Sequence, residues 1–363
     1  MSSQETANAE PAVEDHSPEH IAELAESLMN GLGDALKQIG KVNEETRMLS
    51  FNASIEAARA GGASGKAFGI VAEAIRDLSD RTAEVADTMN NQTGSVTGEL
   101  RTSLDVLAKD VRGVRLTDLA LTNIDLIDRN LFERSCDVRW WATDASLVDA
   151  LADEDSDPAK LAFASKRLGV ILSAYTIYHD LVLADASGKV VANGKPNQYS
   201  SQGANVADKV WFRNAMATRS SEEYAFETLH ESPLIDNERT LAYSCAVRVG
   251  GEAHGKPLGV LGILFDWDSL AQSIMNDVSL SADEKKRTRV CLVDDDGLIL
   301  ADTQGQMLKA KVPLKGPARV LNKENHYVME DYDNQPAVIA HAYAPGYEGY
   351  STGWHSLIIQ TLA

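Results

Sequence analysis

The sequence predicts an α+β chain: an N-terminal antiparallel helical hairpin, a long connecting helix, and two tandem modules built on antiparallel sheets. Three observations predict it. Apolar residues recur every seven positions on both sides of a glycine-rich break, as they do in paired helices. An amphipathic stretch then continues to about residue 142. Beyond it, short apolar runs are punctuated by Asp and Gly, and one strand–turn–strand phrase occurs twice, 109 residues apart.

The 363 residues are enough for two or three domains. The expected division is a disordered 1–17, a coiled-coil hairpin over 18–115 with its tip at 45–82, a connecting helix and first sheet module over 116–285, and a second module over 286–363. The formal charge of −20 disfavours nucleic acid and anionic membrane surfaces as partners. Cys136, Cys245 and Cys291 are odd in number and widely spaced, which fits a reducing compartment and no disulfide framework. No apolar run reaches transmembrane length and no signal peptide is recognisable. A cytoplasmic location is expected.

Ser17-Pro18-Glu19 is a good helix start: a capping hydroxyl, a Pro in the first turn and an acid against the helix dipole. On the incoming leg Ile21, Ala25, Leu28, Leu32, Ala35, Ile39, Val42, Thr46, Leu49 and Ala53 keep a 4-3-4-3 spacing. On the outgoing leg Phe68, Val71, Ile75, Leu78, Thr82, Val85 and Met89 repeat it. Gly61, Gly62 and Gly65 ease the positive dihedral angles of a reversal, and Ala57, Ala58, Ala60 and Ala63 let the backbones approach. Asn52, Glu56 and Arg59 share one helix face. That face reads either as a solvated surface or as a partner-selecting one.

The stretch FNASIEAARAG followed by GKAFGIVAEAIRDLSDRT resembles the signalling tip of methyl-accepting chemotaxis proteins, through the reversal and without a gap. The resemblance implies a dimeric four-helix bundle, with trimers of dimers, whose tip contacts a CheA-type histidine kinase and a CheW-type coupling adaptor. Asn52, Glu56 and Arg59 fall on the family's polar contact positions, and Phe51 and Ile55 on its apolar ones. The chain departs from the family at Glu45, Arg47, Gly62 and Lys66-Ala67. No adjacent Glu/Gln pair of the type the family methylates is present outside Glu44-Glu45, which sits in the tip, so adaptation by methylation is not expected.

After Met89 the apolar spacing loosens at Gly94 and Gly98 and resumes from Leu100. Two readings fit Trp140-Trp141: packing of the helix end against the next domain, or stacking on a ligand. Residues 143–178 read as helix with a polar insert at DEDSDPAK. LVLADASGKVVAN and CLVDDDGLILAD then form the repeated phrase, with Asp185 matching Asp294, Gly188 matching Gly297 and Ala192 matching Ala301. Apolar strand, Asp to cap the turn, Gly for the positive dihedral, apolar strand: this is a hairpin signal. Three strands follow each copy: YAFETL, TLAYSCAVRV and LGVLGILFDW after the first, HYVMEDY, AVIAHAYA and HSLIIQTL after the second.

A long helix feeding two such modules, with VADKVWFRNAMAT ahead of the later strands, resembles the double Cache (PAS-like) sensor family over about 120–363. The resemblance implies a ligand site on the concave face of the first sheet, at Lys209, Trp211, Phe212, His230 and Tyr243. A cation beside aromatic walls suits a small carboxylate or other anion. Leu264 stands where amino-acid-sensing members carry an acid, which disfavours an α-amino acid and leaves a plain carboxylate or a purine-like ligand open. The alternative for Trp211 and Phe212 is packing of a helix on the sheet.

No catalytic or metal site is expected and no cofactor is implied. The eight histidines are scattered, and Asp294-Asp295-Asp296-Gly297 lacks the rest of a calcium loop and reads as a turn. The functional expectation is a cytoplasmic chemotaxis transducer, a homodimer with the signalling hairpin first and a small-molecule sensor last. The other reading is a binding scaffold or competitor that occupies chemoreceptor arrays without controlling the kinase.

Overall fold

The computed structural model describes residues 18–153 and 157–362; the disorder expected over 1–17 and the Ser17 cap lie outside the described residues. The chain divides into two compact units, Met1–Arg112 and Gly113–Ala363.

The first unit is a hairpin of α1 (Pro18–Ala60) and the leading part of α2 (Gly62–Trp141). Gly61 and Gly62 take positive φ at the reversal. Gly65 serves differently from the sequence expectation: it is helical, and a Cβ there would lie 2.5 Å from the Ala57 carbonyl oxygen. It permits close approach and not the turn itself. Contact between the legs runs mainly through small residues: Ser50 and Ala57 on α1 and Ala72 and Ser79 on α2 are buried, with Leu36 the one large side chain among them. Asn43 Nδ2 donates to the Ser79 carbonyl across the pair at 2.8 Å. The expected seven-residue repeat is therefore present, but the expected seam is not what joins the legs. Leu28, Val42, Leu49, Phe68, Val71 and Leu78 all remain exposed.

In the second unit the rest of α2 buries Leu116, Ala120, Ile124, Ile127, Leu131 and Val138, a stripe at three-to-four spacing. Trp141 packs edge-on against Tyr175 and Tyr178, whereas Trp140 is exposed. The packing reading thus holds for one of the two indoles. α3 (Ala145–Ala152) and α4 (Pro158–Ala174) follow, capped by the Asp144 and Asp157 carboxylates.

The first sheet has β1 (Tyr178–Asp185), β2 (Val190–Asn193), β3 (Ala225–Ser232), β4 (Glu238–Arg248) and β5 (Pro257–Asp266) in the order β2-β1-β5-β4-β3, with α5 (Val210–Met216) between β2 and β3. α6 (Trp267–Asn276) and α7 (Ala282–Lys286) lead to the second sheet. There β6 (Thr288–Val293), β7 (Ile299–Asp302), β8 (His326–Tyr332), β9 (Gln335–Tyr343) and β10 (His355–Thr361) lie in the matching order β7-β6-β10-β9-β8, with α8 (Pro317–Val320) ahead of β8. All pairings are antiparallel.

The 109-residue offset holds in three dimensions. Asp185 Oδ1 accepts from the N–H of Ser187 and Lys189, and Asp294 Oδ1 from the N–H of Asp296 and Leu298. Gly188 and Gly297 both take positive φ. Each copy also buries a polar pair across its first hairpin: Asn193 Nδ2 donates to Asp180 in one, and Arg289 donates twice to Asp302 in the other. One apolar core runs from α2 through one face of each sheet, and a smaller core fills the opposite face of each.

Candidate functional sites

In the hairpin unit, Phe51, Asn52, Ile55, Glu56 and Arg59 are all exposed on the last turns of α1. Their three- and four-residue spacings put the apolar pair and the polar trio on adjoining faces. Arg59 Nη1 pairs with Glu56 Oε1 at 2.8 Å. The departure at Arg47 has a local use: its guanidinium reaches Asp80 on α2 at 3.7 Å. Both partners are half exposed, so this pair steers the legs more than it stabilises them.

In the first sheet module, α5 is fastened to the sheet by two bonds. The Trp211 N–H donates to Glu227 Oε2 at 3.1 Å, and Ser244 Oγ donates to the Trp211 carbonyl at 2.8 Å. The indole lies over Gly262, where a Cβ would come within about 3.0 Å of the ring. Trp211 and Phe212 are buried with Leu264 in the smaller core of this module. They pack on the sheet, as one of the two sequence readings has it. Lys209 stands at the N-cap position of α5 without capping it through its side chain, half-buried and 4.0 Å from Asp208. His230 pairs in register with Thr240, two residues along β4 from Ala242 in the same core, and its Nδ1 bonds the Thr228 carbonyl. Lys209, Trp211, Phe212 and His230 thus belong to one side of the sheet.

Tyr243 belongs to the other side. It sits in the main core, stacked on Tyr224 and against Phe226, and its hydroxyl bonds that of Tyr350 at 2.8 Å. Burial pushes both phenols well above their ordinary range. Period-two alternation explains the split, because Ala242 and Ser244 on either side of Tyr243 face α5. Tyr243 joins the first sheet to the second module and does not line the α5 side.

Sequence reasoning missed two constellations. The first is Asp128 on α2, fully buried, which accepts from Gly346 N, Thr352 N and Thr352 Oγ1 in the β9–β10 loop. Burial raises its pKa against the lowering effect of those bonds. The ring of Phe132 and the guanidinium of Arg129 hold Tyr347 of the same loop. The second is the buried pair His341 and His355, whose rings hydrogen-bond at 2.8 Å. A histidine in each of the last three strands was the available signal.

Among the described residues no helix is long and apolar enough to cross a membrane. Two family models match. The methyl-accepting chemotaxis protein signalling domain covers residues 1–126, and the Cache domain covers 70–361. Among curated proteins, the chemotaxis protein McpG of Pseudomonas putida is 36% identical over 93 residues, 26% of this chain and 15% of that protein. CtpH of Pseudomonas aeruginosa is 43% identical over 84 residues, 21% of this chain and 14% of that one. The matches therefore span about a seventh of those relatives. Among solved structures, the sensory domain of the Campylobacter jejuni chemoreceptor Tlp3 aligns with TM-score 0.52 at 16% identity, covering 72% of this chain and 96% of that one. A second Tlp3 structure, the ligand-binding domain with 4-methylisoleucine, aligns with TM-score 0.50 at 16% identity, covering 68% of this chain and 89% of that one.

Proposed function

The chain belongs to the Cache-domain family and carries a methyl-accepting chemotaxis signalling domain at its N-terminal end, and from this we propose that it is a transducer that converts small-molecule binding into control of a chemotaxis histidine kinase. One observation carries the reading. The two family matches overlap over residues 70–126, and α2 runs through all of that overlap as one helix. A ligand that changes the first sheet module can act on α2, and α2 is also the second leg of the signalling hairpin. A small displacement of a helix can bias a coiled coil between two packings. No spanning helix separates the two matches among the described residues. Sensor and hairpin then share one compartment, and contact with a kinase makes it the cytoplasm.

The partners follow from the exposed residues. Phe51, Asn52, Ile55, Glu56 and Arg59 form the contact for the kinase, the coupling adaptor and neighbouring dimers. The apolar stripe of Leu28, Val42, Leu49, Phe68, Val71 and Leu78 is covered by a second copy, giving a four-helix bundle. Lys209 supplies a cation to a small carboxylate at the α5 side of the first module, beside His230, while Trp211 and Phe212 hold α5 on the sheet. Leu264 offers nothing to an ammonium group, which disfavours an α-amino acid and leaves a plain carboxylate or a purine-like ligand.

A thermal-shift screen of the full chain against small carboxylates, purines and α-amino acids tests the ligand class. A carboxylate should raise the melting temperature, and Lys209→Met should abolish the rise; a larger shift with an α-amino acid would contradict the assignment. Reconstitution with kinase and adaptor tests the role. A transducer changes the phosphorylation rate with ligand, whereas an array competitor lowers it equally with and without.

A further inference from the structure

Three hydrogen-bond gaps run in a line through the second sheet module. The Glu324 carbonyl oxygen lies 3.1 Å from His341 Nδ1, His341 Nε2 lies 2.8 Å from His355 Nδ1, and His355 Nε2 lies 3.0 Å from Asp295 Oδ1. The line starts on a carbonyl and ends on a carboxylate, and both only accept. Every gap therefore needs a proton from a ring nitrogen. Two neutral imidazoles bring two, and three gaps need three. The line is complete only when the pair carries one added proton, a single positive charge facing the Asp295 carboxylate.

We propose that His341, His355 and Asp295 form a proton-binding site that takes up one proton and refuses a second. In the loaded state His355 is protonated on both nitrogens, donating to His341 and to Asp295, and His341 donates through Nδ1 to Glu324. The second proton would have to sit on His341. That ring is buried beside another histidine, which together push its pKa down to about 3. In the unloaded state one gap sets two acceptors against each other at about 3 Å, which costs an unsatisfied contact. The flexible end of the line is Asp295, whose side chain is 82% exposed. The Glu324 carbonyl is already held by His326 Nδ1 at 2.8 Å. Deprotonation therefore releases the Asp295 side chain, while Asp294 keeps the β6–β7 turn closed.

The surrounding charges leave Asp295 as the counter-ion. From β8, His326 faces His341 at a ring separation of 5.2 Å. From β9, Tyr343 lies against His355, and Lys323 sits 5.7 Å over the far ring. In the β6–β7 turn Asp294 is spent on backbone N–H groups, and Asp296 is exposed beside it, as is the Glu324 side chain. From α2, Asp128 faces the β9–β10 loop through Gly346 and Thr352. That loop ends at Trp354, one residue before His355. The site thus stands at the root of the loop that holds α2. The first module has no counterpart: its matching register positions are Ser244 and Val260.

Histidine-selective ¹⁵N labelling of the full chain reads the protons directly. From pH 8 to 4.5, one ring, His355, should gain a second N–H while His341 keeps a single N–H on Nδ1. Asp295→Asn, at an exposed position, should weaken proton uptake on His355 and move it to lower pH, with an unchanged circular dichroism spectrum. Both rings becoming imidazolium in that range would overturn the proposal. So would an His341 that carries its proton on Nε2 at low pH, or a midpoint indifferent to Asp295→Asn. The tautomer pattern of the parent chain decides the matter even if the variant fails to fold.

Discussion

The hairpin and the sensor place their large side chains oppositely. In the sensor unit Trp211, Trp267, Tyr178 and Phe265 are almost wholly inside, and buried polar groups such as Asp128 and Asp180 are fully bonded. In the hairpin unit the small residues Ser50, Ala57, Ala72 and Ser79 are inside and Leu49, Phe68, Val71 and Leu78 are outside. A sheet module completes its core within one chain. A hairpin of two helices has only one shared seam, and a seam of Ala and Ser brings the legs close while burying little apolar area. The first unit therefore keeps a large apolar stripe on its surface, the stripe that the proposed second copy would cover.

The largest expected effect breaks that contrast. Leu49→Gln with Leu78→Gln removes four apolar side chains from a two-copy bundle, a loss on the order of 6 kcal/mol or more. Sedimentation equilibrium should show dissociation to monomer while the sensor's near-ultraviolet spectrum is unchanged. A persistent dimer would show that the stripe is not covered by a second copy.

The two sheet modules also differ within the sensor. Asp302→Ala strands the buried Arg289 guanidinium and should cost roughly 3 to 5 kcal/mol. Asn193→Ala, at the matching position, leaves Asp180 three backbone donors and should cost about 1 to 3 kcal/mol. Denaturant titrations of the sensor transition check the order, and equal losses would mean that the repeat is not energetically distinct.

A pH series separates the modules again. His341 is held neutral, with a pKa of about 3 against the ordinary 6.5. The folded state then binds fewer protons than the unfolded state between those values. The associated stability is complete above pH 6.5 and declines as pH falls toward 3. Between pH 7 and 5 the loss is about 2 kcal/mol, and His341→Gln should flatten it. An unchanged slope would place the acid sensitivity elsewhere.

The smallest effect concerns the two turns. Gly297→Ala meets only the positive-φ penalty, about 1 to 2 kcal/mol, since a Cβ there comes no closer than 3.5 Å to Leu321. Gly188→Ala adds a clash at 2.6 Å with Ala207 and should lower the melting temperature further.

What could be read from the sequence was what is local. The Asp-x-x-Gly turns, the strand phrases and the reversal at Gly61-Gly62 are all decided within a few residues. The heptads announced two packed helices but not which side faces which partner, because Leu36 and Ala35 are neighbours in the chain and only packing tells them apart. Tyr243 sits on a strand neighbouring His230, which groups it with the α5 residues in the sequence; strand alternation sends it to the face of the sheet away from α5 and Trp211. Asp128, with partners more than 200 residues away, and the pair His341–His355 depend on loop path and strand register. No spacing announces Asp128, and the histidine in each of the last three strands hints at the pair without giving its register.

If α2 carries a signal from sensor to hairpin, a change of register within it should cut the two apart. Three residues inserted after Gly98, in the exposed part of α2 and away from Gly113 with its close neighbour Tyr327, rotate one end of the helix by about 300° relative to the other. With kinase and adaptor present, and with the carboxylate that most raises the melting temperature, the parent chain should change the phosphorylation rate saturably. The inserted chain should show no ligand dependence at unchanged ligand affinity. A full ligand response in the inserted chain would contradict the claim.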